Sequence, residues 1–219
     1  MPSTSGQAGP PFLYGLDIET DTSCDGLDPS RSAILAVAVA TEMGDEVWTG
    51  EEAALLGGLD AWLAKCRPGV LVTWNGSGFD LPFLAFRARH CGVPLALHLY
   101  EDPSIRRRRP LPGHACGYRA RWGSHRHVDA YRAWRSLPGQ KGLPMGLKAV
   151  AGRNGFEPVT VERSAIHLLG EDLLRRYVAS DARLARELAL LRWAEIAASI
   201  DVVPGDSMAA LRHLEGDQG

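Results

Sequence analysis

Nothing in the sequence approaches the roughly 20 consecutive apolar residues that a membrane-spanning helix requires. Its longest apolar candidate, Ala33 to Ala40, is strand-sized, which excludes a helical membrane span and implies no membrane partner. Cysteine is scarce: Cys24, Cys66, Cys91 and Cys116 lie far apart with no Cys-x-x-Cys pair. That pattern suits reduced thiols better than a disulfide framework. An excess of one charge is also missing, since 24 basic residues face 26 acidic ones for a net −2. No global positive field attracts nucleic acid or an anionic membrane, so any such partner must meet a local patch. No internal repeat is visible. Met1 to Pro11 lacks the basic start and apolar segment of a secretory signal. Residues 1–11 therefore read as a flexible Ser/Gly/Pro lead, and a cytoplasmic location is the default expectation.

What is present is ordinary soluble composition, 45% apolar and 23% charged over 219 residues, enough for one sizeable core. Phe12 to Ile18 alternates, Ala33 to Ala40 is a second β-type run, and Glu46 to Thr49 follows a Met43-Gly44-Asp45 turn. These predict three successive antiparallel strands. Leu55, Leu59, Trp62 and Leu63 recur at helical spacing before Arg67-Pro68-Gly69, and Val70 to Trp74 follows as a buried strand. A helix is predicted from Asp80, a good N-cap with Pro82 in the first turn, to Cys91-Gly92. Residues 100–126 carry Arg106 to Arg109 among many prolines and glycines and predict a basic loop or insertion. His127 to Ala130 is a last core strand, Leu143 to Ala151 a short helix, and Glu171 to about Ile200 a long helix. The domain is thus expected over 12–200, with 201–219 as a tail. Strands giving way to strand–helix alternation predict an α/β fold around a mixed sheet with helices on its faces.

Asp17 and Glu19 end the first strand, and period-two geometry puts both carboxylates on one face. Like charges held side by side are costly unless a cation or proton sits between them, which points to Mg²⁺ or Mn²⁺. A strand end running into a polar loop is the bland alternative. Asp80 reads as a helix cap or a metal ligand. Asp181 falls within the apolar stripe Leu174, Tyr177, Val178, Leu184, Leu188 and Leu191, where an unpaired carboxylate costs several kcal/mol. Its partner is either a metal site or an arginine such as Arg176 or Arg183. Tyr177 lies one turn earlier on the same face. His114-x-Cys116 with His125-x-His127 matches no standard zinc finger spacing.

Asp17-x-Glu19 on a strand, Asn75-x-x-x-Phe79-Asp80 at a strand-to-helix turn, and Tyr177-x-x-x-Asp181 on a late helix resemble the three motifs of the DEDD (DnaQ-like) 3′–5′ exonucleases. The tyrosine is similar to that of the subclass with Tyr instead of His before the last aspartate. His127-Val128-Asp129 and Gly146-Leu147-Lys148-Ala149-Val150-Ala151 resemble intermediate segments of the proofreading domain of family B DNA polymerases. The resemblance spans about residues 12 to 195, and with nothing of polymerase length following, a stand-alone nuclease domain is expected.

The resemblance implies a ribonuclease H-like fold with a five-stranded mixed sheet, its first three strands antiparallel. It also implies two divalent ions, Mg²⁺ or Mn²⁺, with Asp17, Glu19, Asp80 and Asp181 as ligands and Tyr177 orienting or helping to deprotonate the attacking water. Two cations stabilise the charge that develops on attacking and leaving oxygens. Trp74, Asn75 and Phe79 stand where such enzymes position the terminal nucleotide, and Arg106, Arg107, Arg108 and Arg109 would place positive charge on the strand path. The expected activity is removal of nucleoside 5′-monophosphates from single-stranded 3′ ends, with DNA favoured over RNA. The rival is a non-catalytic nucleic-acid-binding or partner-docking module on the same fold.

Overall fold

The computed structural model describes residues 11–106 and 110–204. Arg107, Arg108 and Arg109, residues 1–10 of the expected lead, and the expected tail from 205 onward lie outside the described residues. The chain builds β1 (Leu13–Thr20), β2 (Ile34–Ala40), β3 (Asp45–Thr49), α1 (Glu52–Leu63), β4 (Val70–Thr73), α2 (Asp80–His90), β5 (Leu97–Asp102), β6 (Gly117–Trp122) and β7 (His125–Asp129). Then follow α3 (Ala130–Ser136), α4 (Leu147–Arg153), a 3-10 segment (Arg163–Leu168), α5 (Glu171–Leu191) and α6 (Trp193–Ile196).

One mixed sheet runs in the order β3-β2-β1-β4-β7-β6-β5. The first three strands are antiparallel as the hydropathy pattern predicts, while β1–β4 and β4–β7 are parallel. The sheet has seven strands, not five. The basic segment supplies the difference: β5 and β6 pair antiparallel with each other, and β6 turns into β7. Its prolines, Pro103, Pro110 and Pro112, lie in the β5–β6 connection and leave the strands intact, while Gly117 opens β6 and Gly123 sits in the turn to β7.

Helices cover both faces, as a sheet with two apolar sides demands. Leu16, Ile18, Val37 and Val39 pack under α1 and α2 with Leu55, Leu59, Leu81 and Phe83. On the other face Ala36, Ala38 and Ala40 meet Tyr177, Val178 and Ala182 of α5. Small residues on β2 let α5 lie close to the sheet. Its leucines Leu184 and Leu188 fill a second cluster with Val70, Val72 and Trp134, each contributing about 1.5–3 kcal/mol through burial.

Two boundaries move. The last long helix stops at Leu191, where Arg192 leaves helical geometry at φ −127°, and α6 restarts it briefly. The domain also extends beyond Ile200: Asp201 and Val203 are buried, because Asp201 takes Nδ1 of His127 at 2.6 Å and the Ala120 N–H at 3.0 Å.

Candidate active site and metal centre

Alternation along β1 sends Gly15, Asp17 and Glu19 to the face that α5 crosses. Gly15 makes the crossing close. A Cβ there would lie 2.1 Å from the Ala182 carbonyl oxygen and 2.8 Å from Arg186 Cβ, so any larger residue would lift the helix. Asp181 precedes that contact, and the glycine thereby sets how near the helix carboxylate comes to the strand pair. One oxygen each from Asp17, Glu19 and Asp181 falls within 4.8 Å of the others. Among the described residues this is the one group of three or more acidic, His or Cys side chains spaced to hold a metal.

Burial raises the pKa of all three, and their mutual repulsion raises those of Asp17 and Glu19 further. Asp17 rises well above the carboxylate range, through desolvation first and then the charges of Asp181, Asp80 and Glu19. Glu19 rises to about 8 through desolvation and Asp181. Asp181 rises less, to about 6, because Lys148 and Arg163 oppose its desolvation. Its Oδ2 lies 3.3 Å from Lys148 Nζ, while its Oδ1 is buried without a hydrogen-bond partner.

Asp80 arrives from the other side. It is the first residue of α2, with Phe79 in the N-cap position and making no capping bond; the acidic side chain therefore faces the helix's N-terminal dipole instead of capping it. Asp80 stands outside the 4.8 Å group yet close enough for its charge to raise Asp17 and Glu19. Its own pKa rises to about 7, chiefly by desolvation. The turn before it is held by Asp129, whose carboxylate accepts the N–H of Asn75 at 2.9 Å and of Ser77 at 3.2 Å. Asn75 adopts a left-handed φ of 70°, which asparagine tolerates better than most residues. Gly76 is packed so tightly that a Cβ would strike Thr73 Oγ1 at 2.3 Å.

Tyr177 is buried one turn before Asp181 on α5. Desolvation, then Glu19 and Asp181, push its hydroxyl pKa up. The phenol is therefore neutral and an O–H donor, suited to orienting a water and not to removing its proton. Lys148 Nζ sits 3.7 Å from the centre of the Tyr177 ring and donates to the Val159 carbonyl at 2.8 Å.

The other sequence expectations divide. Trp74 offers no stacking face: it is buried in the core, its ring edge-on to Tyr131 and its indole N–H on the Met145 carbonyl at 3.2 Å. Phe79 is half-buried against Phe83, and Asn75 lines a small cavity with Arg106. Neither arginine considered for Asp181 neutralises it; Arg183 pairs with Asp45, and the counter-cation is Lys148. No zinc site forms from the histidines, because His125 bonds the Leu63 carbonyl and His127 joins Thr73 to Asp201.

Residues 16–106 match the sequence model described as DNA polymerase family B, exonuclease domain. A solved family B DNA polymerase from the hyperthermophilic archaeon Pyrobaculum calidifontis is 26% identical and superposes with a TM-score of 0.69 over 90% of this chain. Over residues 16–106 the chain is thus similar to a family B polymerase exonuclease domain. This chain spans 26% of that polymerase chain, and no curated protein matches its sequence. The family match stops at Arg106, so Tyr177 and Asp181 join Asp17 and Glu19 through the fold, not through that match. No described helix is long and apolar enough to cross a membrane.

Three contributors escape the sequence reading. Lys148 received no role, although a lysine two residues from a buried valine is a recognisable signal for a cation entering a core. Gly15, two residues before Asp17, marks a close backbone approach. Asp129 stood in the recognised His127-Val128-Asp129 segment, but its hold on the Asn75 turn gave no local signal.

Proposed function

We propose that the exonuclease domain hydrolyses the 3′-terminal phosphodiester bond of single-stranded nucleic acid, with DNA favoured over RNA, and releases nucleoside 5′-monophosphates. The observation that carries this reading is the convergence of Asp17, Glu19 and Asp181 within 4.8 Å beside the buried Tyr177. The match of residues 16–106 to a polymerase exonuclease domain supports it. Three crowded carboxylates, a fourth within electrostatic reach, and an orphaned Asp181 Oδ1 form an all-oxygen donor set that fits hard divalent cations, Mg²⁺ or Mn²⁺. Asp17, Glu19 and Asp181 would hold these ions, with Asp80 supporting them. When bound, the cations supply positive charge for the attacking and leaving oxygens.

The protein's own groups do the positioning. The Tyr177 hydroxyl, kept protonated, orients the attacking water by donating or sharing a hydrogen bond. Lys148 fixes both the Tyr177 ring and Asp181. The turn pinned by Asp129 presents Asn75 and Phe79 next to Asp80, where a terminal nucleotide would lie.

A 5′-labelled single-stranded DNA oligonucleotide incubated with Mn²⁺ should shorten stepwise from its 3′ end, while a circular strand stays intact. Asp17→Ala should leave the linear strand whole. A wild-type domain that binds Mn²⁺ and leaves the linear strand intact would make the site a binding module and sink the hydrolytic reading.

A further inference from the structure

Beside the Asn75 turn lies a cavity of about 290 Å³ lined by Arg106, Arg132, Arg135, Tyr131, Asn75 and Asp129 among others. Arg132 and Arg135 stand three residues apart on α3 and so share a face. Arg106 reaches the same space from the β5–β6 connection. Sequence separation hides this convergence.

The cavity lining holds three arginines and one carboxylate. Asp129 is buried and already engaged by two backbone N–H groups. Arg132 shares the charge of Asp129, which lines the same hollow, and lies 3.9 Å from Asp201, with its side chain 34% exposed. Arg135 is exposed and touches the Tyr131 hydroxyl at 3.4 Å. Three guanidinium groups line one hollow with a single carboxylate, Asp129, so an excess of positive charge remains for a further anion to neutralise. Guanidinium geometry favours an anion with paired oxygens, and a phosphodiester presents two non-bridging oxygens that match it.

We propose that this cavity is a subsite for an internucleotide phosphate of the bound strand, upstream of the scissile bond, anchored by Arg132 and Arg135. The inference rests on the proposed hydrolysis of single strands and extends it. Asn75 belongs both to the cavity and to the turn that ends in Asp80, so a strand whose terminal nucleotide lies at the carboxylates passes over the cavity next. Trp74 contributes from beneath, its ring bracing Tyr131 at the cavity wall. Substrates with an upstream phosphate are therefore preferred over those without one.

The test compares wild type with Arg132→Gln/Arg135→Gln, and with Arg135→Gln alone in case the double variant folds poorly, since the Arg135 side chain is exposed. Fluorescence anisotropy reads binding of a ten-nucleotide oligothymidylate in Ca²⁺ across a salt series. Kinetics read kcat/KM for the ten-nucleotide strand relative to a dinucleotide. The double variant should bind the strand about tenfold more weakly, with a log–log salt slope reduced by roughly 0.7 for each phosphate no longer neutralised. The preference for the long substrate should fall by a similar factor, and Arg132→Lys/Arg135→Lys should restore part of it. Wild-type affinity, salt slope and length preference in the Gln variants would overturn the subsite. Arginine-dependent strand binding by a wild type that hydrolyses neither substrate would keep the subsite and reject the nuclease reading. Hydrolysis with no arginine dependence would do the reverse.

Discussion

Lys148 Nζ stands 3.3 Å from Asp181 Oδ2 and 3.7 Å from the centre of the Tyr177 ring, so a single ammonium group serves both motif residues of α5. Asp181 is pushed up by burial and held to about 6 by this lysine and Arg163. Removing the cation leaves burial unopposed by its nearest charge. Lys148→Met should therefore move the acidic limb of the pH–rate profile to higher pH and lower kcat at pH 7 by about tenfold or more, within the range of a missing charge-positioning group. Lys148→Arg should return the limb toward its wild-type position. A Met variant with the wild-type profile would reduce Lys148 to a packing residue.

The raised carboxylates fix the sign of a stability effect. Glu19 at about 8, Asp80 at about 7 and Asp181 at about 6 all exceed their unfolded values, so the folded, metal-free protein holds protons that the unfolded chain releases. Their contribution is present in full below the unfolded pKa values, near pH 4, and is lost as pH rises toward about 8. The melting temperature in chelator should fall across that window. With saturating Mn²⁺ the fall should flatten or reverse, because the cation replaces those protons, and calorimetry should detect proton release on binding. Equal pH slopes with and without metal would contradict the site.

Glu19→Gln tests the repulsion between the strand and helix carboxylates directly. At pH 9 it removes a buried carboxylate repelled by Asp181 while keeping the side chain's shape. The metal-free variant should gain on the order of 1 kcal/mol, roughly 2–4 °C in Tm for a chain of this size, and lose most of its response to Mn²⁺. A variant less stable than wild type in chelator would show that Glu19 is held by favourable contacts and not by repulsion relieved on metal binding.

Two glycines make a controlled comparison. Gly15→Ala drives a methyl group into the Ala182 carbonyl, and because that atom is helix backbone the whole of α5 must shift, at a cost of about 1–3 kcal/mol or more. Asp181 moves with it, so the Mn²⁺-induced rise in Tm should shrink. Gly57→Ala in α1 meets nothing within 4 Å and should stabilise by about 0.5–1 kcal/mol through helix propensity, with the metal response intact. Thermal melts of both variants with and without Mn²⁺ decide; equal metal responses would free Gly15 from any part in the site.

How far each feature was legible in the sequence follows the range of the forces involved. Asp17 and Glu19 were legible because alternation along a strand is local, and Asp181 because a carboxylate inside an apolar helical stripe demands a partner. The identity of that partner was not legible: Arg183 is nearer in sequence, but it points to Asp45 on β3 while Lys148 arrives from α4. The β5–β6 hairpin was hidden by Pro103, Pro110 and Pro112, which sit in its connection. Asp201 looked like the start of a tail because its pairing with His127 spans 74 residues, a distance over which no periodicity speaks.

The Glu52–Arg87 pair links α1 to α2 on the face of the sheet opposite α5, and gives a stability prediction independent of the site. Arg87 donates to both carboxylate oxygens and to the Pro29 carbonyl, while Glu52 also accepts the Ile34 N–H at 2.7 Å. Burial pushes the Glu52 carboxyl up, but the Arg87 hydrogen bonds and the Ile34 N–H outweigh it and hold the pKa below its ordinary value. The pair's contribution is therefore present above pH 4.5 and lost as pH falls through the lowered value. Arg87→Met strands a largely buried carboxylate and should cost about 3–5 kcal/mol at pH 7. Because protonation neutralises the stranded group, the deficit should narrow as pH falls toward 5. Adding Glu52→Gln to Arg87→Met should recover part of the loss at pH 7 by the same logic. Denaturant titrations at pH 5 and pH 7 check both statements. A deficit that is constant with pH and unrelieved in the double variant would mean that Arg87 stabilises the helix pair through packing of its aliphatic stem, not through its charge.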